Sequence, residues 1–224
     1  MEKRTDRLGR SMRTSNTMGG ETPRASGDAY PTPDRLAQAI ANRLVSAIGD
    51  VDLVVEPSAG DGAFVVAAQA AWGQSVRVHA VEPIANAAVH RMSSNFVSSE
   101  ASTWEAAEQA GKLLGESVRS LILGNPPYML AELHVRLALE RLGHNVALEP
   151  KPKWLAFLLR ASFLAGGKRS EGLHMQVGGL RYVWHVVGRP SFTSDGKTDG
   201  AEYACLVWQA GWRGPYEGGW LTWR

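Results

Sequence analysis

The segment of this sequence best equipped for chemistry on a nitrogen is Asn125-Pro126-Pro127-Tyr128. An aromatic amino nitrogen has its lone pair delocalised into the ring, so it is a poor nucleophile until something localises that pair. Two acceptors accomplish this. The side-chain oxygen of Asn125 and the backbone carbonyl of Pro126 can each take one amino hydrogen, which favours a pyramidal nitrogen. Pro126 and Pro127 fix the backbone so that the carbonyl faces the site, and Tyr128 offers a ring on which a planar base stacks. These four residues are the catalytic candidates.

A second site is Glu56-Pro57-Ser58-Ala59-Gly60-Asp61-Gly62-Ala63-Phe64, between a short apolar run and a helical one. Its glycines let a ligand approach the backbone closely. Neither G-x-G-x-x-G nor G-x-x-x-x-G-K is present, and the carboxylates Glu56 and Asp61 would repel a phosphate. A cationic ligand fits better, and S-adenosylmethionine carries an ammonium and a sulfonium. Glu82 follows Gly60 by 22 residues, the spacing at which an acid accepts both ribose hydroxyls of a bound nucleoside.

The Asn-Pro-Pro-Tyr arrangement resembles the motif of the S-adenosylmethionine-dependent amino-methyltransferases, and Glu56 to Phe64 looks like their cofactor loop, with Glu in the more usual Asp position. Tyr30-Pro31-Thr32-Pro33 resembles the upstream segment that holds the cofactor's methionine moiety in DNA N6-adenine methyltransferases. The resemblance covers roughly residues 28 to 210. It implies a cofactor site of Tyr30, Thr32, Pro33, Glu56, Pro57, Ser58, Gly60, Gly62, Phe64, Glu82 and Asn125, with an adenine of DNA as methyl acceptor. Such a base must leave the duplex to reach the site. The loop 190–199 carries Phe192, which by resemblance is the aromatic presented to the second face of the base; Lys197 is a candidate phosphate contact. The family's acidic residue after the third strand has no clear counterpart, Glu100 being in an uncertain register. The compact build is similar to the small methyltransferases of phages, which mask DNA from restriction.

These residues need a scaffold that brings them together. Leu36, Ile40, Leu44 and Ile48 recur at helical spacing from Pro33, and Val51 to Val55 reads as a strand. Further strands are expected at Ser75–Val81, 95–100, Ser120–Leu123, Trp154–Leu159, Arg181–Val187 and Glu202–Gln209. Helices are expected at 84–92, 104–114, Leu130–Leu142 and 162–170, with a final Gly- and Trp-rich tail from Gln209. Alternation of β and α elements predicts an α/β, Rossmann-like doubly wound fold: a mostly parallel seven-stranded sheet with an antiparallel terminal hairpin at its edge. Residues 1–27 read as a disordered basic leader and 28–224 as a single methyltransferase domain.

Bulk properties exclude little. The 224 residues carry a formal charge of +2, so no global positive field demands nucleic acid and any DNA surface must be local. Cys205 is the single cysteine and reads as a buried strand residue. No metal-ligand spacing, membrane span or secretory signal is recognisable, and a cytoplasmic protein is expected. Trp208, Trp212, Trp220 and Trp223 read as packing residues rather than a base-stacking platform. Two other classes compete with a DNA enzyme: an RNA or protein-glutamine methyltransferase using the same four-residue site, and a non-catalytic cofactor- or DNA-binding module.

Overall fold

The computed structural model describes residues 30–82, the backbone of 96–99, and residues 119–143, 153–167, 179–193, 196–198 and 200–224. Its strands are β1 (Leu53–Glu56), β2 (Arg77–Val81), β3 (Phe96–Ser99), β4 (Ser120–Gly124), β5 (Lys153–Arg160), β6 (Leu180–Val186), β7 (Tyr203–Gln209) and β8 (Glu217–Leu221). The α-helices are α1 (Asp34–Ile48), α2 (Ala63–Trp72) and α3 (Ala131–Gly143). All eight strands form one sheet in the order β3-β2-β1-β4-β5-β7-β6-β8. β1 to β5 pair in parallel, β7 is antiparallel to β5 and β6, and β8 lies parallel to β6.

The chain runs outward from β1 through β2 to β3, then returns to lay β4 on the other side of β1. That reversal opens a crevice beyond the carboxyl ends of β1 and β4, where ligands bind in open α/β sheets. Successive strand residues point to opposite faces, and the cores divide accordingly. Val54, Leu121, Leu123, Ala156 and Leu158 pack with α1 and α2 on one face; Leu53, Val55, Ile122, Leu155 and Phe157 pack with α3 on the other.

Helix α1 has no side-chain cap at Pro33, whose carbonyl instead accepts the Leu36 and Ala37 N–H groups at 2.9 and 3.0 Å. Burial of Leu36, Ile40 and Leu44 contributes roughly 1.5–3 kcal/mol apiece, which holds the helix in place and fixes Tyr30 to Pro33 at its entrance.

Several expectations need correction. The seven anticipated strands form, and the hairpin of β6 and β7 is antiparallel, but the tail contributes an eighth strand, so β8 and not the hairpin occupies the edge. Gly218 and Gly219 conceal β8 in the sequence, and its pairing with β6 overrides their poor strand preference. Within the helix expected over 162–170, residues Ala161–Ala165 form a short 3₁₀ turn that ends at Gly166, and residues 168–170 lie outside the described residues. Trp208 is wholly buried as a packing residue, whereas Trp220 is 75% exposed. Cys205 lies in the core of β7, where burial pushes its thiol up. The leader, the expected helices at 84–92 and 104–114, and Glu100 lie outside the described residues.

Candidate active site

The Glu56 loop leaves β1 at the crevice and turns into α2 through two left-handed glycines, Gly60 at φ 51° and Gly62 at φ 84°. Gly62 is the residue before the first turn of α2, so a side chain there would strain the entry to the helix. The loop is tied to the end of β2 twice: Ala59 N–H donates to the Val81 carbonyl at 2.9 Å, and Gly60 N–H donates to Glu82 Oε2 at 2.6 Å. Glu82 therefore does stand at the glycine turn, with one carboxylate oxygen holding the loop in shape.

Glu56 is 2% exposed, and its Oε2 has no hydrogen-bond partner among the described residues. Burial first, and then the negative charge of Glu82, hold its carboxyl well above the usual carboxylate range, while a hydrogen bond from the Val65 backbone opposes the shift. A buried acid with an orphaned oxygen beside a second acid is a site for a cation. The residues present thus fit a ligand carrying an ammonium near the glycine turn.

Because the folded state raises this pKa, Glu56 favours folding most at low pH, and that contribution fades as pH rises from the ordinary carboxylate pKa toward the raised one. Glu56→Gln is accordingly expected to raise the melting temperature at pH values above the ordinary carboxylate pKa, with an advantage that grows as pH rises. A series of thermal unfolding curves at increasing pH checks the sign. An advantage indifferent to pH would show that the carboxyl ionises normally.

The second half of the site follows β4. Gly124 brings the strand end against the first: a Cβ there would meet Glu56 Cγ at 3.6 Å and Pro57 Cδ at 3.8 Å. Asn125 comes next, and its Nδ2 donates both hydrogens, to the Tyr30 carbonyl and to Thr32 Oγ1, each at 3.1 Å. Because a carbonyl can only accept, this network assigns the amide nitrogen and oxygen without ambiguity. Asn125 Oδ1 is consequently left facing away from both partners, buried and without a hydrogen-bond partner among the described residues. The Pro127 carbonyl accepts the Leu130 N–H at 3.0 Å, turning the chain into a 3₁₀ turn over Tyr128–Leu130 and then α3.

Tyr128 stands half-buried in an aromatic cluster, with ring centroids 5.1 Å from Tyr30, 5.5 Å from Tyr203 and 6.3 Å from Phe192. The Arg160 guanidinium lies over the Tyr128 ring at 5.4 Å from its centroid. Arg160 ends β5 and Tyr203 begins β7, the two strands pairing at those residues. Sequence reading overlooked both. A cation closing the apolar run Trp154 to Leu159 at the ligand-binding end of the sheet was the available signal.

Tyr30, Thr32, Pro33, Glu56, Pro57, Ser58, Gly60, Gly62, Glu82 and Asn125 all lie around the carboxyl ends of β1, β2 and β4 or at the start of α1. Two expected contacts do not fit. Phe64 is 1% exposed in the core beneath α2, so its side chain anchors the loop and has no surface for a ligand. Phe192 is 4% exposed and meets Tyr30 and Tyr203 edge-on at 5.8 and 4.9 Å, so it braces the cluster and offers no free face to a base. Lys197 is exposed, and its carbonyl receives hydrogen bonds from Ser191 and Thr193 that shape the loop.

Phe192→Ala should therefore destabilise the protein by about 3–5 kcal/mol, the range for emptying a buried aromatic site. Urea unfolding measures it. A loss below about 1 kcal/mol would place the ring outside the core.

No family model and no curated protein matches the sequence. Solved structures do share its fold. The type I restriction-modification system methyltransferase subunit from Streptococcus thermophilus gives a TM-score of 0.57 at 13% identity, over 86% of this chain and 47% of that one. The DrdV–DNA complex gives 0.53 at 14% identity, over 86% and 27%. An S-adenosylmethionine-dependent methyltransferase from Agrobacterium tumefaciens gives 0.50 at 16% identity, over 81% and 64%. This chain spans about half the length of the first and about a quarter of the second. The chain thus shares the α/β, Rossmann-like fold of these structures. Among the described residues no group of three or more metal-binding side chains occurs, and no helix is long and apolar enough to cross a membrane.

Proposed function

We propose that this chain is an S-adenosylmethionine-dependent methyltransferase acting on the exocyclic N6 amino group of adenine in DNA. The observation that carries the reading is the Asn125 amide: both of its donors are consumed, and its buried oxygen is left to accept a hydrogen beside the Glu56 and Glu82 loop.

Bound in the crevice, S-adenosylmethionine supplies an electrophilic methyl group. Glu56 meets its ammonium, Glu82 accepts from its ribose hydroxyls, and the Gly60–Gly62 turn lets it approach the backbone. Asn125 Oδ1 and the Pro126 carbonyl accept the two amino hydrogens of the acceptor base, so that the nitrogen lone pair localises and points along the transfer line. The oxygen is preorganised, since the enzyme need not rotate the amide at the moment of reaction. Tyr128, braced by Tyr30, Tyr203 and Phe192, gives the base a stacking face, and Arg160 places a cation beside an anionic polymer. One protein of the same fold is named as a restriction-modification methyltransferase subunit and another was solved with DNA, which supports DNA as the acceptor.

The test supplies methyl-labelled cofactor with duplex DNA, structured RNA and glutamine-containing peptides in parallel. Label entering DNA supports the reading. Label entering RNA or peptide alone shifts the same amino-transfer chemistry to that acceptor, and cofactor binding without transfer to any of them leaves a non-catalytic module.

A further inference from the structure

The resemblance gives the segment Tyr30 to Pro33 to the cofactor, yet the hydrogen bonds give part of it to the catalytic amide. We propose that Thr32 is a positioning residue whose hydroxyl, with the Tyr30 carbonyl, sets and holds the orientation of the Asn125 amide. This deepens the proposed function and rests on it for the reaction, though not for the hydrogen bond itself.

An asparagine amide has two nearly isosteric orientations, related by a half-turn about its last side-chain bond. Only one is productive. If the amide were reversed, Oδ1 would face the Tyr30 carbonyl, two acceptors with no proton between them, and Nδ2 would present donors to an amino group that itself must donate. The Tyr30 carbonyl, which can only accept, disfavours this, and the Thr32 hydroxyl holds the observed orientation by taking the second Nδ2 hydrogen, both at 3.1 Å. The carbonyl belongs to the backbone, so the hydroxyl of Thr32 is the part of the clamp that the side chains supply.

The clamp also acts on acceptor strength. Donation of both Nδ2 hydrogens lets the nitrogen release more of its lone pair into the C=O, which puts negative charge on Oδ1, and hydrogen bonds in such a chain strengthen one another. Oδ1 is the atom left to use that polarisation, since it is buried and unpartnered among the described residues. The entrance of α1 is rigid: Pro31 and Pro33 flank Thr32, and the Pro33 carbonyl is held by the first turn of the helix. A residue 93 positions away in the sequence is thereby fixed relative to Asn125.

The test uses Thr32→Val, which keeps the shape and removes the hydroxyl, beside Thr32→Ser, which restores it. Three quantities are read: the single-turnover methyl-transfer rate, the cofactor dissociation constant by calorimetry, and solvent exchange of the Asn125 side-chain amide in ¹⁵N-labelled protein. Thr32→Val should lower the rate about 3- to 10-fold, the worth of one ordinary hydrogen bond, leave cofactor affinity unchanged and speed amide exchange. Thr32→Ser should recover both, and in an Asn125→Ala background Thr32→Val should cost nothing further. If wild-type protein methylates no acceptor, the proposed function fails, while the exchange measurement still decides whether Thr32 holds Asn125. Unchanged rate and exchange in Thr32→Val, or weakened cofactor binding at an unchanged rate, would overturn the inference and return the hydroxyl to the ligand.

Discussion

Asn125→Ala is expected to cut the single-turnover rate of methyl transfer by about 10²-fold or more, the usual cost of removing one preorganised contact to a reacting group. Cofactor affinity should stay within a few fold, because in the proposed function Oδ1 serves the acceptor base, while Nδ2 is taken up by Tyr30 and Thr32. The substitution also releases those two acceptors, so calorimetric titration of the cofactor must accompany the rate. A large loss of rate at constant affinity is the signature of an interaction made at the reacting nitrogen. Near wild-type turnover would remove Asn125 from the mechanism.

The second large effect is expected at Glu82. Glu82→Ala should weaken cofactor binding by about 1.5–3 kcal/mol, the range for charge-assisted hydrogen bonds, which is roughly 10- to 150-fold in dissociation constant. Two losses would contribute: the proposed acceptor for the ribose hydroxyls and the 2.6 Å bond that holds Gly60. Glu82→Gln separates them, since its amide oxygen still accepts from Gly60 N–H while the charge is gone. An intermediate loss for Gln fits both roles. An unchanged dissociation constant in Glu82→Ala would show that the carboxylate serves only the loop and that the cofactor lies elsewhere.

The order of motifs and the parallel core of the sheet were legible because apolar runs or alternations end at chemistry: Leu53 to Val55 at Glu56, Val76, Val78 and Ala80 before Glu82, and Leu121 to Leu123 before Asn125. Those runs need burial on two faces, which only a covered sheet provides. What sequence spacing conveys poorly is the direction of a side chain within an element. Phe64 and Phe192 were the right residue types near the right motifs, yet both turn into the core. The Tyr30 and Thr32 bonds to Asn125 span 95 and 93 residues and leave no local periodicity to read. Strand β8 was hidden for the opposite reason, since its glycines look like a loop until β6 supplies the partner.

The central claim is that Asn125 presents its oxygen to an adenine amino group. Its most direct test is the nucleoside content of duplex DNA after incubation with S-adenosylmethionine and the protein, read by digestion and mass spectrometry. N6-methyldeoxyadenosine should accumulate with the wild-type chain and be lost with Asn125→Ala. Methylation at another position of the DNA, or equal yields from the two proteins, would contradict it.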